Sequence, residues 1–179
     1  MRVVAGELGG RKLVSPDGDE TRPTSERVRE AIFNSLFSLD AIDDARVLDA
    51  FAGSGALGIE ALSRGAAHTT FVETGRDALA AVRNNVEVLG LGSQSRVVPG
   101  DALTHLQRGE PYDLVLLDPP YGFDAWPDVL AAVPDEAVVV IESGREVALP
   151  DSWVVHRVKR YGSTVVTLAT AIAASEGAQ

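Results

Sequence analysis

The pattern that most constrains this chain is an alternation of short apolar runs with helical segments between residues 45 and 143. Each apolar run has the length of a β-strand. The strand-like runs are 45–51, 68–73, 95–101, 112–118 and 137–143. The helical segments between them are 56–64, 76–89, 102–107 and 126–132. Alternation with such short connections predicts an α/β fold with an open, doubly wound, mostly parallel sheet.

The two ends of the chain predict smaller elements that flank this sheet. Residues 153–170 predict two strands that meet at Tyr161-Gly162, which brings the sheet to seven strands and makes its last strand antiparallel. Residues 2–14 predict a hairpin with Gly9-Gly10 in its turn, and residues 24–39 predict a helix with Thr24 or Ser25 as N-cap. The predicted parts are an N-terminal hairpin extension (1–23), one α/β domain (24–170) and a disordered tail (171–179).

Composition narrows the class of protein. A chain of 179 residues fits one domain, and no apolar run approaches the roughly 20 residues that cross a membrane. The first residues contain no apolar signal-peptide core, and the lack of cysteine excludes disulfide and thiolate chemistry. We therefore expect a cytoplasmic protein, and nothing in the pattern indicates an obligate dimer.

Charge is distributed unevenly along the chain. The formal net charge of −10 argues against a simple non-specific nucleic-acid binder. Residues 1–30 nevertheless hold six basic and six acidic groups, whereas residues 31–179 hold ten basic and twenty acidic ones. The negative excess lies outside the N-terminal segment, which leaves a local basic face there possible.

Acidic residues stand at or near the ends of four predicted strands. They are Asp49, Glu73, Asp101 and Asp118. A single acid at such a place is often a turn or helix-capping residue. In doubly wound sheets, however, ligands bind at the carboxyl ends of the strands, so four acids there predict one shared crevice.

A glycine-rich loop follows the first of these acids. Gly53, Gly55 and Gly58 form a G-x-G-x-x-G pattern after a strand and at the start of a helix, where glycine lets the backbone approach a ligand closely. Glu73 ends the next strand, where a carboxylate accepts hydrogen bonds from ribose hydroxyls. The pattern predicts an adenosine-type cofactor and by itself fits NAD.

The acids around the loop favour a different cofactor. A pyrophosphate prefers a helix N-terminus with few acids nearby, but Asp49 and Glu73 flank this loop. S-adenosylmethionine, with its sulfonium and ammonium groups, suits such a site better. Asp101 either accepts a hydrogen bond from the adenine amino group or caps the helix after it, and both roles can coexist.

Asp118-Pro119-Pro120-Tyr121 ends a nearly apolar strand and predicts a rigid corner. Asp118 and the Pro119 carbonyl can accept the two N–H groups of an exocyclic amine and stabilise its nitrogen as it becomes positive. Tyr121 can stack on a base. Downstream of a glycine loop, this corner predicts methyl transfer to a planar amine, although the motif does not distinguish guanine N2 from adenine N6.

The sequence resembles the RsmD family, the bacterial 16S ribosomal RNA guanine-966 N2-methyltransferases. The similar segments are RVVAGELGGRKL, TRPTSERVREAIFNSL, VLDAFAGSGALGIEALSRGA, FVE and LVLLDPPY. The resemblance covers about residues 1–170 and implies the Rossmann-like class I methyltransferase fold. It also implies S-adenosylmethionine as cofactor and RNA within the small ribosomal subunit as partner.

The resemblance further implies roles for individual residues. The cofactor-binding residues would be Asp49, Phe51, Ala52, Gly53, Gly55, Glu73, Asp101 and Ala102. Asp118, Pro119, Pro120 and Tyr121 would hold the guanine amine. Arg11, Lys12, Arg22 and Arg27 would contact RNA.

Three other functions remain open. A DNA or other RNA amino-methyltransferase would use the same corner, although such DNA enzymes usually carry a recognition domain for which this chain leaves little room. A NAD-dependent oxidoreductase would use the glycine loop but leaves the Asp-Pro-Pro-Tyr corner without a task. An RNA-binding assembly factor without activity would keep only the fold.

The remaining polar residues predict no further chemistry. His68, His105 and His156 are scattered and are interpreted as surface or packing residues, and no metal-ligand spacing is present. Asn84-Asn85 is interpreted as surface or capping. Trp126 either covers the target base or packs in the core.

Overall fold

The computed structural model describes residues 1–16 and 24–173. The strands in these ranges are β1 (Arg46–Asp49), β2 (His68–Glu73), β3 (Ser95–Pro99), β4 (Leu114–Leu117), β5 (Val138–Ser143), β6 (Val154–Tyr161) and β7 (Thr164–Thr170). The helices are α1 (Glu26–Ser38), α2 (Ala56–Ser63), α3 (Arg76–Val88), α4 (Ala102–Leu106) and α5 (Trp126–Ala131), with a 3₁₀ turn at Gly92–Gln94. The predicted alternation is confirmed. Arg22 lies outside the described residues, as do 17–21, Pro23 and most of the predicted tail.

All seven strands form one sheet in the order β3-β2-β1-β4-β5-β7-β6. Strands β1 to β5 pair in parallel, and β7 pairs antiparallel with both β5 and β6. The predicted fold class is therefore confirmed, with β7 as the one reversed strand. Because β1 pairs with both β2 and β4, the strand order reverses between β1 and β4, which is where doubly wound sheets bind ligands.

The core has two layers because successive strand residues point to opposite faces. Leu114 and Leu116 of β4 face α1, α2 and α3, and they pack with Phe33 of α1. Val115 and Leu117 face the opposite way and pack in the layer of α4 and α5. All four β4 residues are buried, as expected for the middle of a parallel sheet.

The N-terminal hairpin is less regular than predicted. Its arms pair through one antiparallel bridge, Arg2 with Lys12, and its turn runs from Ala5 to Gly10, so it contains Gly9-Gly10 but is longer than a tight turn. The reason is that the chain from Val4 to Leu8 donates to α2, whereas Val3 N still donates to the Arg11 carbonyl of the second arm at 2.9 Å. The donors to α2 are the backbone N–H groups of Val4 and Ala5 (to Glu60), Glu7 (to the Ser63 carbonyl) and Leu8 (to the Ser63 hydroxyl).

None of the helices within 1–16 and 24–173 is sufficiently long and apolar to span a bilayer.

Candidate active site

A cavity of about 740 Å³ opens at the carboxyl ends of the central strands. Its walls come from the loops after β1, β2, β4 and β5, and from the start of α1. This volume lies within the range of pockets that hold small ligands and cofactors. The predicted convergence of strand-end acids holds for Glu73 and Asp118, which both line the cavity.

The glycine loop forms one wall of this cavity through Phe51, Ala52, Gly53 and Ser54. Gly55 caps α2 with a φ of 80°, a left-handed conformation that favours glycine. A Cβ atom on Gly58 would lie 2.4 Å from the Phe71 ring, so this glycine lets α2 pack closely on β2. Gly55 and Gly58 therefore shape the loop without lining the cavity.

Glu73 ties the glycine loop to the loop after β2. Its Oε2 accepts from Gly53 N at 2.8 Å, and its Oε1 accepts from Thr74 N at 2.8 Å and Gly75 N at 2.7 Å. A carboxylate has about four acceptor positions, so these three bonds leave it little further capacity. The role of Glu73 towards a ribose stays a prediction, and its bonds within the protein hold it at the cavity wall.

Asp49 lies beneath the loop rather than in the cavity wall. It is 1% exposed, and its Oδ2 accepts from Gly58 N at 2.9 Å. Burial raises the pKa of Asp49 to about 7, the Gly58 N–H lowers it, and the charge of Glu73 raises it further. Through the Gly58 N–H, Asp49 therefore fixes the start of α2.

Asp101 and Ala102 lie at the end of β3, outside the cavity wall. Asp101 is the N-cap of α4 and accepts from Thr104 N at 2.9 Å, while Ala102 is buried. The capping role is thus present in the structure, and the adenine contact stays a prediction.

All four residues of the Asp-Pro-Pro-Tyr corner line the same cavity as the glycine loop. The Pro120 carbonyl accepts from Phe123 N at 3.2 Å, which closes the turn. Within the described residues, no backbone N–H outside the helices and strands donates to the Pro119 carbonyl. Tyr121 is 64% exposed, so its ring is available to a ligand.

Three aromatic rings join the two walls edge to face. The ring centroids of Phe51 and Phe123 lie 5.3 Å apart, and those of Phe123 and Trp126 lie 5.0 Å apart. Trp126 is buried in the core layer around α5 and also lines the cavity, so it packs, and its role of covering the target base stays a prediction.

Two residues that the sequence did not place in the site, Thr24 and Glu142, complete the corner. The Thr24 hydroxyl oxygen lies 3.1 Å from Asp118 Oδ2 and 2.8 Å from Glu142 Oε2. A hydroxyl carries one proton, so it can donate fully to only one carboxylate. A second full bond needs a protonated carboxyl that donates to Thr24, so the geometry of the three groups suits a shared proton.

The charges around this trio agree with a shared proton. The pKa of Asp118 is raised well above its usual range by burial and by the charge of Glu142; the Thr24 hydrogen bond lowers it, and Asp49 raises it. Burial also raises the pKa of Glu142, against the Thr24 hydrogen bond and the charge of Arg29, which both lower it. In chemical terms, the corner can hold a proton and release it.

Glu142 had a sequence signal, because it is an acidic residue near the end of an apolar strand, as Asp118 is. Thr24 had none that points to Asp118, which is 94 residues away. Ser25 is the N-cap of α1, and its side chain accepts from Val28 N. Thr24 is therefore left to contact the carboxylates.

Of the residues predicted to contact RNA, Arg11 and Lys12 are exposed on the hairpin and Arg27 is exposed on α1. Met1 and Ser25 line the cavity, so both elements border its mouth. The structure thus leaves these side chains free for a large ligand beside the cavity.

The interpretation of Asn85 as a surface or capping residue is wrong. Asn85 is 2% exposed; its Nδ2 donates to the carbonyls of Val14 (2.9 Å) and Ser54 (2.8 Å), and its Oδ1 accepts from Val14 N (2.8 Å). The end of the hairpin covers this part of α3, and the buried amide links it to the glycine loop.

The histidines are packing or surface residues, as predicted. His105 is buried with its Nε2 2.8 Å from the Tyr112 hydroxyl, and His156 is exposed and bonds Thr170. His68 is half-buried at the start of β2.

Known proteins resemble this chain over nearly its whole length. The profile of the family described as Conserved hypothetical protein 95 matches residues 1–170. The ribosomal RNA small subunit methyltransferase D of Escherichia coli strain K12 is 39% identical over 178 residues, which cover 94% of this chain and 88% of that protein. The protein of the same name from Haemophilus influenzae is 33% identical over 174 residues, which cover 90% and 89% of the two chains.

Solved structures agree with these sequence matches. The structure of Escherichia coli yhhF, described as a candidate methyltransferase, has a TM-score of 0.85 and 38% identity, and the match covers 97% of this chain and 99% of that one. The family and the fold that the motifs implied are thereby confirmed. From its sequence and its fold alike, the chain belongs to the family of the ribosomal RNA small subunit methyltransferase D proteins.

Proposed function

We propose that this protein transfers a methyl group from S-adenosylmethionine to the N2 amine of a guanine in 16S ribosomal RNA, guanine 966 by family resemblance. One observation carries the proposal: Asp118 and Pro119 line the same cavity as the glycine loop. The relatives' names support ribosomal RNA as the substrate. We infer a cytoplasmic monomer that acts on the small subunit or its assembly intermediate.

The charges of the cavity fit the sulfonium cofactor better than a dinucleotide. The described residues that line it include three acids, Glu73, Asp118 and Glu142, and one base, Arg145. A pyrophosphate would meet an excess of negative charge there, whereas a cationic ligand is attracted. The loop from Phe51 to Gly53 would hold the methionine part of the cofactor, and Glu73 would face its ribose.

The corner supplies the chemistry towards the amine. When bound, S-adenosylmethionine supplies an activated methyl group on a positively charged sulfur. Asp118 accepts one N–H of the planar amine and the Pro119 carbonyl accepts the other, which stabilises the nitrogen as it becomes positive. After the nitrogen–carbon bond has formed, its proton leaves to Asp118 or to water. Tyr121 stacks on the base and keeps it in place.

The shared proton predicts a pH dependence with opposite signs in two variants. Transfer needs Asp118 as an acceptor, so kcat/KM should rise as pH rises through its pKa. Glu142→Gln removes a charge that raises the pKa of Asp118, so the increase in kcat/KM should occur at lower pH than in the wild type. Thr24→Val removes a hydrogen bond that lowers the pKa of Asp118, so the increase in kcat/KM should occur at higher pH than in the wild type. Profiles measured between pH 5 and 9, about the range over which such groups titrate in proteins, check both shifts; identical profiles in all three proteins would contradict the shared proton.

The substrate class is tested by methyl transfer from labelled S-adenosylmethionine to small ribosomal subunits that lack this modification, with naked 16S RNA in parallel. We expect label on the subunits, and a lower yield on naked RNA if assembled proteins form part of the binding surface. Binding of NAD without binding of S-adenosylmethionine would instead support an oxidoreductase.

A further inference from the structure

Strand β6 is an unusual surface for an acidic protein. Residues 152–173 contain Arg157, Lys159 and Arg160 but no aspartate or glutamate, although the chain carries a net charge of −10. Every residue from Val154 to Arg160 is exposed. No salt bridge within the described residues involves Arg157, Lys159 or Arg160, so no carboxylate neutralises their charges.

The sheet order places this basic strand beside the cavity. Strand β6 is the outermost strand and pairs only with β7, so its other edge is open. It runs towards the carboxyl edge of the sheet, where Tyr161 at its end lines the cavity. Thr164, which follows the turn, and Arg145, which follows β5, line the same side.

Three side chains of β6 share the face that looks towards α1. Arg157, Lys159 and Tyr161 pair with Leu168, Val166 and Thr164 of β7, which alternate onto one side of the sheet. The Arg157 Nη1 donates to the Ser35 hydroxyl of α1 at 2.8 Å, and the Lys159 ammonium lies 5.1 Å from the centroid of the Tyr161 ring. Successive members of this row are about 6.6 Å apart, so it forms a continuous path from α1 to the cavity mouth.

Helix α1 thus has basic side chains on both flanks. On one flank the Arg29 guanidinium of α1 donates to the Arg2 carbonyl of the hairpin that carries Arg11 and Lys12. On the other flank lies β6. The acidic remainder of the surface repels a polyanion, whereas these two flanks attract it.

We propose that the β6 edge, defined by Arg157 and Lys159 on the face towards α1, binds the phosphate backbone of the RNA next to the nucleotide that enters the cavity. The proposal rests on the proposed function and extends it by a second RNA-binding surface opposite the hairpin. Phosphate contacts of this kind position a nucleic acid without reading its sequence. They would set the direction in which the RNA strand crosses the Asp-Pro-Pro-Tyr corner.

The test compares two double charge reversals. Arg157→Glu/Lys159→Glu changes β6, and Arg83→Glu/Arg108→Glu makes the same change in charge at exposed positions of α3 and of the loop after α4. Binding of each fluorescently labelled protein to unmethylated small subunits is measured over a range of salt concentrations. We expect the β6 variant to lose about tenfold or more in affinity. Its slope of log K against log salt should fall by about 0.7–0.9 for each phosphate that it no longer neutralises. The control should keep the wild-type slope.

Further readouts separate this inference from the proposed function. Thermal unfolding and S-adenosylmethionine affinity should be unchanged in the β6 variant, since these side chains are exposed and lie outside the cavity. If wild-type protein methylates subunits but the β6 variant and the control bind them equally, the inference alone is overturned. If the β6 variant binds subunits as the wild type does but no longer binds phosphatidylserine vesicles that the wild type binds, the inference is overturned, because β6 would then bind a membrane surface instead of RNA. If wild-type protein methylates no RNA, the proposed function itself fails.

Discussion

Replacement of Asp118 by alanine should lower methyl transfer by about a hundredfold to a thousandfold, the usual cost of removing one group that stabilises charge in a transition state. The variant loses the acceptor for one N–H of the amine and the partner of the Thr24 hydroxyl. The amine would then enter the cavity without the orientation that aims its lone pair at the methyl group.

Single-turnover transfer to small subunits measures this loss, with calorimetry of S-adenosylmethionine binding as its control. The cofactor affinity should stay within several-fold of wild type, because the glycine loop and Glu73 are untouched. The transfer rate of Asp118→Asn should lie between those of the wild type and Asp118→Ala, since its amide oxygen still accepts a hydrogen bond. Normal turnover in Asp118→Ala would refute the role assigned to the corner.

Replacement of Glu60 by alanine should destabilise the protein by about 3–5 kcal/mol, the range for breaking a buried ion pair by removal of one partner. Glu60 is fully buried; it accepts from Val4 N (2.7 Å) and Ala5 N (3.0 Å) and pairs with Arg64 Nε (2.8 Å). Alanine leaves two backbone donors and one guanidinium without their acceptor. The buried Arg29 also loses a neighbouring negative charge.

Urea denaturation measures this effect, and Glu87→Ala serves as a matched control. Glu87 also belongs to a helix but is exposed, so its removal should change the free energy of unfolding by less than about 0.5 kcal/mol. An equal, small effect in both variants would show that the hairpin is not anchored through Glu60. Because Met1 of the hairpin lines the cavity, release of the hairpin should also disturb the cavity. The rate of methyl transfer by Glu60→Ala should therefore fall by more than the loss of folded protein accounts for.

The sheet was predictable because its signal is local. Each apolar run of 45–143 has strand length and is bounded by a helical segment, so chain order alone gives a doubly wound topology. The positions of Asp118 and Glu73 followed from the same rule, since parallel strands place their carboxyl ends at one edge. The same rule also covers Glu142, the penultimate residue of β5.

The rest of the site depends on long-range interactions that no local pattern reports. Glu60 and Ser63 meet the hairpin across 55 or more residues, and they take the donors that a regular hairpin would have used. Asn85 meets Val14 across 71 residues, and Thr24 meets Glu142 across 118. A polar residue inside a helix is interpreted as a surface residue unless its distant partner is known.

The identity of the methylated nucleoside is the most direct test of the proposed reaction. Small subunits that lack the modification are incubated with the protein and isotope-labelled S-adenosylmethionine, and their RNA is digested and analysed by mass spectrometry. We expect labelled N2-methylguanosine with wild-type protein and almost none with Asp118→Ala. Labelled N6-methyladenosine, or no labelled nucleoside despite demonstrated cofactor binding, would contradict the proposed reaction.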